Sequence, residues 1–183
     1  MRIAIFCTAL LMSAAGTAAA QTVESRTAVS GVAGVAKTYD DEGSIGRGWL
    51  MGGSVERVLF GTTRLEGSLE WVTHSRDTGH FAADGDTVIG GLSLVHRFGR
   101  RTVQPYVLGG VTIGHHSGKS SFDDLRFTAS STDFGLRFGG GVAVLVNQRL
   151  EVSPEFRMNG FFIDNDSNPW MIPSFGIRLG YRF

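Results

Sequence analysis

The residues best suited to chemistry lie close together in HHSGKSSFDD, residues 115–124. His115, His116 and Ser117, followed by Asp123 and Asp124, supply in type a base, a nucleophile and an orienting acid, the set that an acyl-transfer site assembles. The plainer reading is a wet rim of polar residues. A second stretch, DNDSN at 164–168, places oxygen ligands at alternate positions as a calcium loop does at its start. Pro169 then stands where such a loop needs Gly, and Phe175 where it needs a bidentate Glu, so no metal site is expected. FGGGVAV at 138–144 resembles a nucleotide loop only in its glycines, which read better as close strand packing or a bend, and no cofactor is expected. A more widely scattered set remains: Glu66, Glu70, Glu151 and Glu155 with Arg97, Arg137, Arg157, Arg178 and Arg182. Carboxylates and guanidiniums in comparable numbers suit fixed, bidentate pairing if the fold turns them toward one another.

The elements that would do so are strands. From Thr27 onward the chain divides into eight runs: TAVSGVAGVAKTY, RGWLMGGSVERVLF, RLEGSLEWVTHS, TVIGGLSLVHRF, VQPYVLGGVTIGHH, TDFGLRFGGGVAVLV, LEVSPEFRMNGFF and WMIPSFGIRLGYRF. Each has about the length of a tilted membrane strand. The connectors FGTT, GRRT and NQR are short, whereas DDEGSIG, RDTGHFAADGD, SGKSSFDDLRFTASS and IDNDSNP are longer and polar. Short and long connectors alternate, so they fall at opposite ends of the strands. This predicts an all-β fold, an eight-stranded antiparallel up-and-down transmembrane β-barrel.

A period of two sorts the faces. In the last strand Ile177, Leu179, Tyr181 and Phe183 oppose Arg178 and Arg182; in the third, Leu65, Leu69 and Trp71 oppose Glu66 and Glu70. Phe134, Leu136 and Phe138 oppose Asp133 and Arg137, and Val152, Phe156 and Met158 oppose Glu151, Glu155 and Arg157. Arg97 and Glu56 join the charged set from the fourth and second strands. A water-soluble barrel would hold its apolar residues inside. Here the charges share one face, which calls for lipid around the other. Aromatics at both strand ends fit two interfacial girdles, with Phe60, Phe98, Tyr106, Tyr181 and Phe183 beside the short turns and Tyr39, Trp49, Trp71, Phe162 and Trp170 beside the long loops.

Composition agrees with export. MRIAIFCTALLMSAAGTAAAQ carries Arg2, an apolar stretch from Ile3 to Met12 and small residues at Ala18 and Ala20, the pattern of a signal peptide (1–20) cleaved to leave a barrel domain at 21–183. Cys7, the sole cysteine, would leave with it, so no disulfide closes the fold. No later apolar run reaches the ~18 to 20 residues of a spanning helix. Seventeen basic residues, only two of them lysine, balance seventeen acidic ones, which gives no cause to expect a nucleic-acid partner.

With these residues in view, the chain resembles the small outer-membrane barrels of Gram-negative bacteria: OmpA-like and OmpX-like transmembrane domains and outer-membrane β-barrel domain proteins. The terminal GYRF, with Gly180, Tyr181 and Phe183, is similar to the C-terminal assembly signal of that class. The resemblance implies a monomer in the outer membrane, both termini periplasmic, delivered by periplasmic chaperones to the barrel assembly machinery and surrounded by outer-membrane lipids and lipopolysaccharide. The leading reading is a structural or surface-interaction role, not an enzyme, and because an eight-stranded interior is only wide enough for its own side chains the inner Glu and Arg residues are expected to form a charge plug. Two alternatives remain, a narrow channel for small solutes and a lipid A deacylase-like hydrolase. The deacylases carry a His-x-Ser element, which His115 and Ser117 match, with Asp123 a candidate acid. Gly118 stands where they have Asn, and the element comes earlier in this chain.

Overall fold

The computed structural model describes residues 27–40, 43–77, 81–99, 102–122, 125–162 and 170–183. They form eight strands: β1 (Thr27–Asp40), β2 (Gly43–Phe60), β3 (Thr63–Asp77), β4 (Phe81–Arg97), β5 (Val103–Phe122), β6 (Leu125–Leu145), β7 (Leu150–Phe162) and β8 (Trp170–Arg182). Each pairs antiparallel with its chain neighbour, and β8 returns to β1 to close the barrel. Closure leaves no open edge, so backbone polar groups are paired around the whole circumference, as a wall in hydrocarbon requires. The closing register sets Ala28 opposite Arg182 and Ala36 opposite Ser174. The final residue is tied into the seam, the Phe183 N–H donating to the Thr27 carbonyl at 2.9 Å.

The β2–β3, β4–β5 and β6–β7 connections lie at one end with the N-terminus of β1 and the C-terminus of β8, here the turn end; the other connections define the loop end. At the turn end, Gly61 enters the tight β2–β3 turn with φ of 55°, a left-handed conformation that glycine adopts without steric cost.

The strands are longer at the loop end than the sequence reading has them. RDTGHFAADGD and SGKSSFDDLRFTASS, read as polar loops, are mostly the outer arms of β3–β4 and β5–β6, and β5 and β6 reach 20 and 21 residues. An apolar band needs only about 9 to 11 tilted residues per strand. Backbone pairing continues beyond it because a ladder needs no apolar face.

Alternation within each strand divides the wall. In β8, Arg178 is 1% exposed while its neighbours Ile177 and Leu179 are 54% and 62% exposed. Leu136, Phe138, Val107, Val111, Leu92 and Leu94 are likewise exposed, so a broad apolar belt covers the outside. Two aromatics read as girdle residues instead face inward. Tyr106 is buried within the lumen. Trp170 packs on the apolar cluster of Ala36, Leu50, Val72, Ile89, Phe161 and Ile172 that fills the loop-end half of the interior. The phase of β5 and β8 decides both positions, and interfacial preference acts only on rings already pointing outward.

Candidate functional site

The turn-end half of the interior holds eleven buried Glu and Arg side chains. Glu56 on β2, Arg64, Glu66 and Glu70 on β3, Arg97 on β4, Arg137 on β6, Glu151, Glu155 and Arg157 on β7, and Arg178 and Arg182 on β8 are all buried. Each lies in the inward phase of its strand, so the alternation that sends leucine and phenylalanine outward sends these charges together.

They form one connected lattice. Arg97 grips both oxygens of Glu151 at 3.0 Å and reaches Glu56 at 2.9 Å. Arg182 donates to the same Glu151 through Nε at 2.9 Å and Nη2 at 2.5 Å. Arg178 links Glu56 at 2.5 Å, Glu66 at 2.8 Å and Glu155. Arg157 reaches Glu70 at 2.6 Å and Glu66 at 3.0 Å, and also bonds Glu155. Arg137 completes the series, pairing with Glu70 at 3.2 Å, donating through Nε to Asn159 at 2.7 Å, and bonding Ser68. Because β3 and β7 stand on opposite sides of an eight-strand ring, the Arg157 pairs cross the lumen. In so narrow a barrel there is room for side chains and little else.

Removing ions from water is costly, and only complete pairing with good hydrogen bonds offsets it. Neutral groups assist. The Tyr106 hydroxyl donates to Glu155 at 2.5 Å, and the Arg97 and Arg178 guanidiniums lie 5.6 Å from its ring centre. Gly141 makes room for that ring, since a Cβ there would lie 2.7 Å from the Tyr106 hydroxyl. The six guanidiniums exceed the five carboxylates by one positive charge.

All nine interior residues read from the sequence are brought together here, with Glu56. Arg64, absent from that set, lies two residues before Glu66 and in its phase, and it approaches Glu56 at 3.7 Å. Tyr106, expected in the girdle beside the short turns, lies in the lumen. Gly180 faces the lumen beside the Glu151 side chain, while Tyr181 and Phe183 face outward with ring centres 5.0 Å apart.

The His-x-Ser element is divided by alternation. His115 and Ser117 point outward, and the His115 Nδ1 lies 2.8 Å from the Thr132 hydroxyl. His116 points inward, where its Nδ1 lies 2.9 Å from the Thr87 hydroxyl, its Nε2 lies 3.7 Å from Asp133, and its ring meets Phe161 and Trp170. Asp123, the candidate acid, and DNDSN at 164–168 lie outside the described residues. Among the described residues no group of three or more His, Cys, Asp or Glu is placed to hold a metal ion.

Comparison with known proteins places this architecture. The chain is similar in structure to Neisserial surface protein A, with 17% identity over 86% of this chain and 97% of that one and a TM-score of 0.68. It is similar to Ail, the attachment invasion locus protein of Yersinia pestis, with 17% identity, coverage of 88% and 100%, and a TM-score of 0.59. The outer membrane enzyme PagL matches with 18% identity, coverage of 84% and 99%, and a TM-score of 0.53. At these identities the likeness speaks to fold alone. No curated protein matches the sequence. The family model described as the outer membrane protein beta-barrel domain matches residues 5–183, and the chain, an eight-stranded outer-membrane β-barrel, belongs to that family.

Proposed function

We propose that the protein is a non-enzymatic component of the outer membrane, a barrel closed by its own ion pairs that supports the long loop-end hairpins in surface interaction. The observation that carries this reading is the lattice across the lumen, in which Arg157 and Arg178 engage carboxylates from β2, β3 and β7. A permanent solute path would need those groups apart and hydrated. The fold does not decide the role, since Ail is named for attachment and invasion and PagL is an enzyme.

In this reading residues 1–20 are removed at export, the turn end and both termini face the periplasm, and the barrel acts as a monomer among outer-membrane lipids and lipopolysaccharide. Tyr181 and Phe183 mark the last strand for the assembly machinery. Support comes from their outward placement and from the bond between Phe183 and Thr27 at the closing seam. Deleting Phe183 should lower outer-membrane levels and leave unfolded periplasmic precursor; equal levels would remove the assembly role.

The rival channel is tested by planar-bilayer recording of purified, refolded protein. The expected result is no steady unitary conductance; reproducible openings in the wild type would overturn the closed-barrel reading. The hydrolase alternative rests on His115 and Ser117 sharing the outer face. Lipid A mass spectra from expressing and non-expressing cells should coincide, and a lost acyl chain would instead make the protein an enzyme.

A further inference from the structure

Among the described residues, two grooves toward the loop end share Arg47, Gly48 and the outward-facing Trp49. The first is an open groove of about 600 Å³ lined by Val35, Phe156, Pro173 and Phe175. Lys37 and Arg47 also line it, directly opposite each other across β1 and β2 and two residues loopward of the Val35–Trp49 pair. Among the described residues neither cation is paired with a carboxylate; the Lys37 ammonium lies 4.5 Å from the centre of the Tyr39 ring. The second groove, about 520 Å³, lies on the other side of Trp49 and is polar, with Ser75, Asp84, Asp86, Ser117 and Lys119 in its lining.

We propose that the two grooves together bind one phosphorylated, acylated saccharide of the outer leaflet, a lipid A-type glycolipid. An acyl chain fits the apolar lining. Two like charges side by side repel each other, and a phosphate between Lys37 and Arg47 relieves that repulsion while accepting charge-assisted hydrogen bonds. The second groove separates this ligand from an ordinary anionic phospholipid. Serine hydroxyls and the Asp84 and Asp86 carboxylates suit sugar hydroxyls, and the Trp49 indole offers an apolar face to a sugar ring. A phospholipid headgroup would satisfy the first groove and leave the second without use. The site rests on the reading above that lipid covers the outer face and that the loop end meets the outer leaflet.

The test uses the full chain folded into phosphatidylcholine nanodiscs, with insertion established first by the heat-dependent gel mobility of folded barrels. Native mass spectrometry then measures retention of bisphosphorylated lipid A, dephosphorylated lipid A and phosphatidylglycerol. Bisphosphorylated lipid A should be retained over both others. The double variant Lys37→Gln, Arg47→Gln should weaken its retention roughly tenfold, the loss of about one charge-assisted bond. Arg57→Gln, which removes a charge from the outer face of β2 near the turn end, should retain it as the wild type does. Unchanged retention by the double variant, an equal loss with Arg57→Gln, or equal wild-type binding of phosphatidylglycerol or the dephosphorylated form would overturn the site while leaving the membrane reading intact. A wild-type chain that never acquires folded mobility would overturn both.

Discussion

The two halves of the lumen are filled by opposite means. Toward the loop end, Leu50, Val72, Ile89, Phe161 and Ile172 pack into an apolar cluster, with His116 against its Phe161 ring. Toward the turn end, five carboxylates and six guanidiniums occupy the same kind of space. An apolar core tolerates exchange among groups of similar size because each contact is weak and nondirectional. The ionic lattice lacks that tolerance, since most of its members pair with two or three others and the loss of a shared partner leaves charges buried without compensation. The same wall therefore encloses a forgiving region and an unforgiving one.

The largest effect should come from Arg178→Leu. It withdraws one cation from Glu56, Glu66 and Glu155 together, and urea titration of protein refolded into lipid vesicles should show a loss of about 3 to 5 kcal/mol. A loss below 1 kcal/mol would mean that the lattice is hydrated and the contrast between the halves false. In the apolar half, Ile89→Leu should cost less than about 1.5 kcal/mol by the same titration, because volume is kept and no polar group is orphaned. A larger loss would show that half to be as exacting as the other. The smallest effect is expected outside the lumen, where His115→Ala and Ser117→Ala should each shift stability within about 0.5 kcal/mol. Lipid A mass spectra should also stay unchanged.

How far the sequence discloses these features depends on what enforces them. The closed barrel and its strand order are legible because lipid on one side and ion pairs on the other impose strict alternation, and a one-residue slip would exchange the faces. Arg64 obeys that rule and could have been found from Glu66 alone. Tyr106 obeys it too, but its residue type also suits an interface, and only the phase of β5 and the space left by Gly141 decide for the lumen. The partners of each guanidinium were not legible. They depend on which strands face each other across the ring, a property of closure rather than of any local run. Strand length at the loop end was hidden for another reason: beyond the apolar band, pairing is held by backbone hydrogen bonds that leave no hydrophobic pattern.

Lipid against the apolar outer face and charges turned into the lumen are tested together in β6, at two adjacent residues. Leu136 is 54% exposed and Arg137 is 2% exposed. In vesicle refolding with urea titration, Leu136→Arg should cost about 2 to 4 kcal/mol by placing a cation in hydrocarbon, while Leu136→Phe behaves as the wild type. A Leu136→Arg protein as stable as the wild type, with the phenylalanine control normal, would show that lipid does not cover this face and would contradict the inside-out barrel.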